Sequence, residues 1–263
     1  MKNYEKNVQR IDTKVDKMRM RRKDTDSIKV KENVFDTTTL KTLYTLSNKG
    51  IIQALGGSIS TGKEANVFLA EGENNECAIK IYRISTSTFN SMEEYILGDP
   101  RFENIRHRKR DIIFAWTRKE LRNLLRAQKA GIRVPEPITT ERNILIMEFL
   151  GEDGIPYPLL KDISLDSEVA LNIFDIIKEY MRKLFKDAKL VHGDLSEYNI
   201  MIDTNDMTPI IIDMGQAVTL EHPRADVFLR RDINNILRFF KRFKITTSPE
   251  DMYSFIRNGE NKT

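Results

Sequence analysis

The chain has 263 residues, 40% of them hydrophobic, which is enough apolar side chain for one large domain or two small ones. Its longest apolar run is five residues, Ile112 to Trp116, and its first residues are charged, so neither a membrane-spanning helix nor a secretory leader is expected and a cytoplasmic protein is. The single cysteine, Cys77, excludes an internal disulfide and sits in the alternation ECAIKIY as a buried strand residue with no chemistry assigned to it.

The net charge of +4 is uneven: residues 1–31 hold eleven Lys or Arg against five Asp or Glu, a net of +6 that leaves the remainder slightly acidic. Such an arm suits an anionic surface such as nucleic acid, although charge runs also simply solvate a helix face. Val8, Ile11, Val15 and Met18 recur in it at helical intervals. Asp36 to Thr39 then offer caps for a short helix through Leu40, Leu43, Tyr44 and Leu46, stopped by Asn48 and Gly50. Residues 1–49 thus read as a basic helical extension.

From Ile51 the period changes to that of strands: IIQALGGSIS, ANVFLAEG and ECAIKIYRI predict three antiparallel strands. The connection from Gly56 through Ser60, Thr61, Gly62 and Lys63 to Ala65 is rich in small and hydroxyl residues, which let backbone N–H groups approach phosphate oxygens. It matches neither G-x-G-x-x-G nor a complete P-loop, and alone it is equally a plain hairpin turn. Lys80 stands mid-strand with Ala78 and Tyr82 on its face. A buried lysine needs an anion, which nucleotide phosphates and a helical glutamate would supply; an edge-strand lysine reaching water is the alternative. Glu120, on the strongly periodic helix ended by Gly131, is the candidate glutamate.

Residues 85–111 read as a polar insertion carrying Ser85, Thr86, Ser87, Thr88 and Ser91 and then a basic cluster from Arg106 to Arg110, with His107 as a solvated loop residue. After Val134-Pro135-Glu136-Pro137 two more strands are expected, the second being NILIMEFL. Its end, Glu148 to Leu150 before Gly151, reads either as a linker whose backbone pairs with an adenine edge or as a core strand with a turn. The amphipathic stretch from Ser167 to Lys189 predicts a helix burying Val169, Ile173, Ile176, Ile177, Tyr180 and Leu184. A loop with His222-Pro223, a further apolar and basic helix and a short C-terminal helix complete the chain. The expected organisation is 1–49, then 50–147 with the insertion, then 148–263.

The chemistry concentrates in LVHGDLSEYN, residues 190–199, and IIIDMG, residues 210–215. Phosphoryl transfer needs one carboxylate to orient or deprotonate an attacking hydroxyl, and a second with an amide to hold magnesium on the nucleotide phosphates. Asp194, Asn199 and Asp213 have the order and spacing of a kinase catalytic loop and metal-binding turn. Taken singly, the first motif is equally an Asx turn or helix cap and the second a buried strand end.

Together STGKEANVF (60–68), IKIYRI (79–84), LVHGDLSEYN and IIDMGQAV (211–218) closely resemble the Rio atypical serine protein kinases, the subgroup typified by the first Rio kinase, over roughly residues 37–255. The resemblance implies an α+β, two-lobe protein-kinase-like fold, with an N-lobe of antiparallel sheet plus helix and a reduced, mainly helical C-lobe. It also implies ATP and magnesium, a protein hydroxyl substrate, possible ATPase turnover, and work on the small ribosomal subunit precursor and its rRNA through the basic arm. Carried over by position, Lys80 holds the nucleotide phosphates and pairs with Glu120. Asp194 is the catalytic aspartate, Asn199 and Asp213 are the metal ligands, and the backbone at Glu148 and Leu150 contacts adenine. The insertion hydroxyls are expected autophosphorylation sites. Gly193 replaces the Arg that usually precedes the catalytic Asp, Met214 stands where Phe is usual, and no A-P-E segment follows, so the usual activation loop is not expected. A small-molecule kinase of the aminoglycoside-phosphotransferase type, which shares the H-G-D turn, and a nucleotide-switched rRNA-binding assembly factor are the competing readings.

Overall fold

The computed structural model describes residues 35–73, 75–84, 89–96, 98–102 and 108–258. The basic arm, the hydroxyls from Ser85 to Thr88, and Arg106 with His107 lie outside the described residues. Contact density divides the chain into two units: one comprises the described residues before Phe89 with Ile138–Pro156, the other Phe89–Pro137 with Tyr157 onward. This division differs from a single cut at 148, because the hairpin at 151–156 folds back on the first unit while the helix bearing Glu120 packs against the turn at Met214–Gln216.

In the first unit α1 (Thr37–Asn48) is capped by Asp36, whose carboxylate accepts from the Thr39 N–H at 2.7 Å. The helix turns Thr39, Thr42 and Leu46 inward and leaves Leu40 and Tyr44 at 52% and 69% exposure, contrary to the apolar face expected. A polar contact explains the rotation. The Asn143 amide donates to Thr39 Oγ1 and to the Tyr82 carbonyl, both at 2.9 Å, and the first of these bonds needs Thr39 to face inward. Five strands follow, β1 (Ala54–Thr61), β2 (Ala65–Glu71), β3 (Glu76–Tyr82), β4 (Pro137–Glu141) and β5 (Ile144–Glu148), in the order β1-β2-β3-β5-β4. Ile79 and Ile81 of β3 join Leu46, Phe68, Ile144 and Ile146 in the core. Burial pushes the Cys77 thiol up to about 11, in keeping with an inert core residue.

The expected glycine-rich loop is shorter than the sequence suggested. Gly56 to Thr61 belong to β1, whose register against β2 slips between Leu55 and Ser58 and again between Ser58 and Ser60, and the turn proper is Gly62 to Glu64. Small residues here permit a bulged strand: a side chain on Gly56 would stand 3.1 Å from the Leu69 carbonyl. After β5, β6 (Gly151–Glu152) and β7 (Ile155–Pro156) form a ribbon. A Cβ on Gly151 would lie 2.2 Å from the Ile155 carbonyl, so no other residue fits.

The second unit is mainly helical. Within the stretch read as an insertion lie α2 (Phe89–Ile96) and a 3-10 turn at Pro100–Phe102, and α3 (Lys109–Lys129) starts before the stretch ends. Met92, Tyr95 and Ile96 of α2 are buried at helical spacing. Next come α4 (Ser167–Lys186), β8 (Leu190–Val191), β9 (Ile200–Ile202), β10 (Pro209–Ile211), β11 (Val218–Thr219), α5 (Ala225–Phe240) and α6 (Pro249–Asn258). The buried stripe of α4 is Ala170, Ile173, Phe174, Ile177, Met181 and Leu184; Val169, Ile176 and Tyr180 are only half-buried, the face being rotated to meet α6. Among the described residues no helix is long and apolar enough to cross a membrane.

Candidate active site

Two short ribbons build the centre of the second unit. β8 pairs with β11, Val191 opposite Val218, and its fully buried Leu190 and Val191 lead straight into His192. β9 pairs with β10 so that Ile200 faces Ile211, and the Ile212 N–H donates to the Asn199 carbonyl at 3.0 Å. Asn199 precedes β9 and Asp213 follows β10 by two residues, so this antiparallel register delivers both to the same end of the ribbon. Asn199 also binds Asp194: its amide nitrogen donates to the Asp194 carbonyl at 2.8 Å and to its carboxylate at 3.2 Å. The three residues singled out by spacing are thereby brought together.

The loop that carries Asp194 is fixed by groups that the sequence did not flag. Gly193 has a φ of +80° and a Cβ there would lie 3.0 Å from the Gln216 carbonyl, which explains glycine where an arginine is usual. Its N–H and that of Leu195 donate to the two carboxylate oxygens of Asp232 at 2.8 and 2.9 Å. Arg231 donates to the Gly193 carbonyl and, at 3.2 Å, to the Tyr95 hydroxyl. The Asp194 N–H donates to His192 Nδ1 at 3.3 Å, so that Nε2 carries the proton offered to the Ile212 carbonyl at 3.1 Å. Thus His192 ties the loop carrying Asp194 to the strand leading to Asp213. A recognisable signal for Asp232 existed: it interrupts the apolar stripe Phe228, Leu229, Ile233 and Ile236 of α5, where a carboxylate needs buried partners.

Burial pushes the Asp194 carboxyl above the usual range, and neighbouring Asp213 adds to this, while His192, Arg231 and the Asn199 hydrogen bond oppose it. A carboxylate so placed is a stronger base than a solvated one. Burial raises Asp232 further, to about 7, against the pull of its two N–H donors. Replacing Asp232 by Asn leaves one of those N–H groups facing an amide NH₂. A stability loss of about 1–3 kcal/mol is expected, the cost of an unsatisfied buried donor, together with slower single-turnover chemistry. Thermal melting checks it, and an unchanged midpoint would remove Asp232 from the support of the loop.

Asp213 adopts a left-handed conformation, φ 59° and ψ 61°, before the turn at Met214–Gln216. Asp and Asn tolerate that region better than other side-chain-bearing residues. Among the described residues no group of three or more His, Cys, Asp or Glu converges as a ready-made metal site. The donor set at the ribbon's end fits magnesium nonetheless, since that ion takes one or two protein oxygens and completes its shell with phosphates and water. With the Asn199 nitrogen committed to Asp194, its amide oxygen is the ligand atom it has to offer.

The remaining candidates lie as follows. Ser60, Thr61, Gly62 and Lys63 are exposed at the β1–β2 tip. Lys80 lies on β3 between Val67 and Leu145, 7% exposed, on the face opposite the Ile79 core. Glu148 ends β5 opposite Cys77, and Leu150 is buried two residues on. All belong to the first unit, whereas Glu120, 1% exposed on α3, belongs to the second with Asp194, Asn199 and Asp213.

The RIO domain family profile matches residues 66–252, which spans β2 through α6 and includes every element just described at the ribbon ends. The chain belongs to the RIO family of serine/threonine protein kinases. It is 46% identical over 252 residues to the RIO-type serine/threonine-protein kinase Rio1 of Haloferax volcanii, covering 95% of this chain and 85% of that one. Against the Rio1 kinase of Methanocaldococcus jannaschii the identity is 42%, with 91% and 81% covered. The human serine/threonine-protein kinase RIO1 is 37% identical over 90% of this chain, but this RIO chain spans only 43% of the human protein's length. In fold it is similar to the crystal structure of Rio2 kinase from Chaetomium thermophilum in complex with ADP/Mg2+ and phosphoaspartate, with a TM-score of 0.60 at 24% identity, covering 84% of this chain and 66% of that one.

Proposed function

We propose that this RIO chain transfers the γ-phosphoryl group of ATP to serine or threonine hydroxyls of a protein. The observation that carries the reading is the junction of Asp194 with Asn199, at the ribbon end from which Asp213 also emerges. Asp194 orients the incoming hydroxyl and takes its proton as the new P–O bond forms and the bond to ADP breaks. Asn199 and Asp213 hold magnesium, which supplies neutralisation of the triphosphate charge. Lys80 adds a fixed cation for the phosphates, and the N–H groups and hydroxyls of Ser60 to Lys63 cover them. The backbone of Glu148 and Leu150 meets the adenine edge. Protein transfer is favoured over a small-molecule phosphotransferase by the STGKEANVF turn and the family membership. Incubation with γ-labelled ATP and identification of the labelled residue tests it.

A second reading is favoured by the phosphoaspartate of the Rio2 complex. If the γ-phosphoryl passes to a carboxylate oxygen of this chain, releasing ADP, attack by water on the acyl phosphate then returns phosphate, and the net reaction is ATP hydrolysis. Its acyl phosphate intermediate is cleaved by hydroxylamine, unlike a serine or threonine phosphoester, which separates the two.

We infer further that the chain acts in the cytoplasm on small-subunit ribosomal precursors, with the basic arm meeting rRNA. Support comes from the net charge of +6 in residues 1–31. Neutralising Arg19, Arg21, Arg22 and Lys23 is expected to weaken binding to precursor particles and to lower the slope of log affinity against log salt by up to about 4 through lost counterion release. ATP affinity stays unchanged. A slope equal to that of the unmodified chain would make the arm a solvated helix face.

A further inference from the structure

The turn after Asp213 is tied from one side by two residues of α3. Lys119 is 0% exposed, yet its ammonium has two carbonyl acceptors, Gly215 at 2.8 Å and Ala217 at 2.6 Å. One helical turn on, the Asn123 amide nitrogen donates to the Met214 and Ala217 carbonyls, both at 2.9 Å. Its orientation is set from behind, because Arg101 donates to Asn123 Oδ1 at 2.9 Å and an amide oxygen has to face that guanidinium. Arg101 in turn is gripped by the buried Asp99 at 2.6 Å. The ring of Trp116, one turn earlier on the same helix, lies against the turn as well: a Cβ on Gly215 would lie 2.8 Å from its indole nitrogen.

An apolar residue in place of Lys119 would fill the space without the cost of burying an ammonium. What the lysine and asparagine add is direction. Three of the four carbonyls from Met214 to Ala217 are drawn toward α3, and the peptide planes immediately after the left-handed Asp213 cannot rotate without breaking buried hydrogen bonds. Burial pulls the Lys119 ammonium down to about 7, with Arg101 acting in the same direction and Asp99 and Glu120 opposing.

We propose that Lys119 and Asn123 are positioning residues that aim the Asp213 carboxylate, and that Arg101, on the segment following α2, keeps Asn123 in register for that task. The inference rests on the reading of Asp213 as a metal ligand and deepens it.

Trp116 is the only tryptophan of the chain and packs on the turn, so its fluorescence reports on that turn directly. The test is a magnesium titration of the full chain with a saturating non-hydrolysable ATP analogue, applied to the unmodified protein and to Lys119→Met, Asn123→Ser, Arg101→Lys and Asp213→Ala. Analogue affinity is measured separately without metal. Lys119→Met and Asn123→Ser are expected to raise the magnesium midpoint about tenfold, at the lower end of what outer partners contribute to metal sites, and Arg101→Lys by less. Metal-free affinity stays within a few-fold. If Asp213→Ala titrates as the unmodified chain does, the metal-ligand reading fails and this inference with it. If Asp213→Ala loses the response while the other variants keep the unmodified midpoint, only the positioning role is overturned. A parallel loss of metal-free affinity in the folded variants marks a merely structural role and overturns it too. Should Lys119→Met not fold, the midpoints of Asn123→Ser and Arg101→Lys decide.

Discussion

Asp194→Asn is expected to lower the rate of phosphoryl transfer by roughly two to four orders of magnitude, the scale associated with losing a positioned proton acceptor, while ATP and magnesium affinities stay within a few-fold. The substitution keeps the shape of the side chain and the backbone carbonyl that accepts from Asn199 at 2.8 Å, so the loop geometry persists. What is lost is basicity, which burial and the neighbouring Asp213 raise. The same direction carries a pH dependence: as pH falls through a pKa above that of a solvated aspartate, the base is protonated and single-turnover rates drop. The Asn variant should lack that limb. Single-turnover kinetics from acid to neutral pH measure both effects, and normal turnover in the variant would take Asp194 out of the chemistry.

Lys80→Ala is expected to weaken nucleotide binding and to reduce turnover by about two to three orders of magnitude, as for removal of one preorganised electrostatic contact to a developing charge. Lys80 lies in the middle of the sheet at 7% exposure, where an ammonium needs an anion. Its β3 neighbours Ile79 and Ile81 face the core and are untouched by the change, so the fold survives. Nucleotide affinity and single-turnover rates check this. Wild-type values for both would return Lys80 to a sheet residue without a role in the site.

Much of the site was legible because its signals are local. Asn199 follows Asp194 by five positions, and that spacing closes a loop in which one amide reaches one aspartate. The isoleucine run before Asp213 marks a buried strand, and the pairing of Ile200 with Ile211 then brings the distant Asp213 to the same end. The strand position of Lys80 was legible from alternation, with Ala78 and Tyr82 on its side and Ile79 and Ile81 on the other, whereas its burial follows from the pairing of β3 with β2 and β5 on both edges.

What escaped detection depends on partners remote in sequence. Asp232 acts through N–H groups nearly forty residues earlier. Lys119 acts on carbonyls more than ninety residues later, and on its own turn of helix it is one charge among several. The hydroxyl-rich start of the 85–111 stretch hid the short apolar period of α2, whose Met92, Tyr95 and Ile96 need the second unit's core to be worth burying. Likewise the inward rotation of α1 is set by Asn143, a residue 104 positions from Thr39, so the exposed Leu40 and Tyr44 contradict the local apolar count.

The central claim is transfer of phosphate to protein hydroxyls by a base at Asp194. The most direct measurement is a single turnover with γ-labelled ATP and magnesium on a serine- and threonine-containing protein acceptor, quenched in acid, with the unmodified chain and Asp194→Asn side by side. An acid-stable label on serine or threonine in the unmodified chain, at least a hundredfold slower in the variant as expected for a lost base, is the predicted result. Label confined to a hydroxylamine-sensitive acyl phosphate, label passed only to a small-molecule hydroxyl, or equal rates in the two proteins would contradict it.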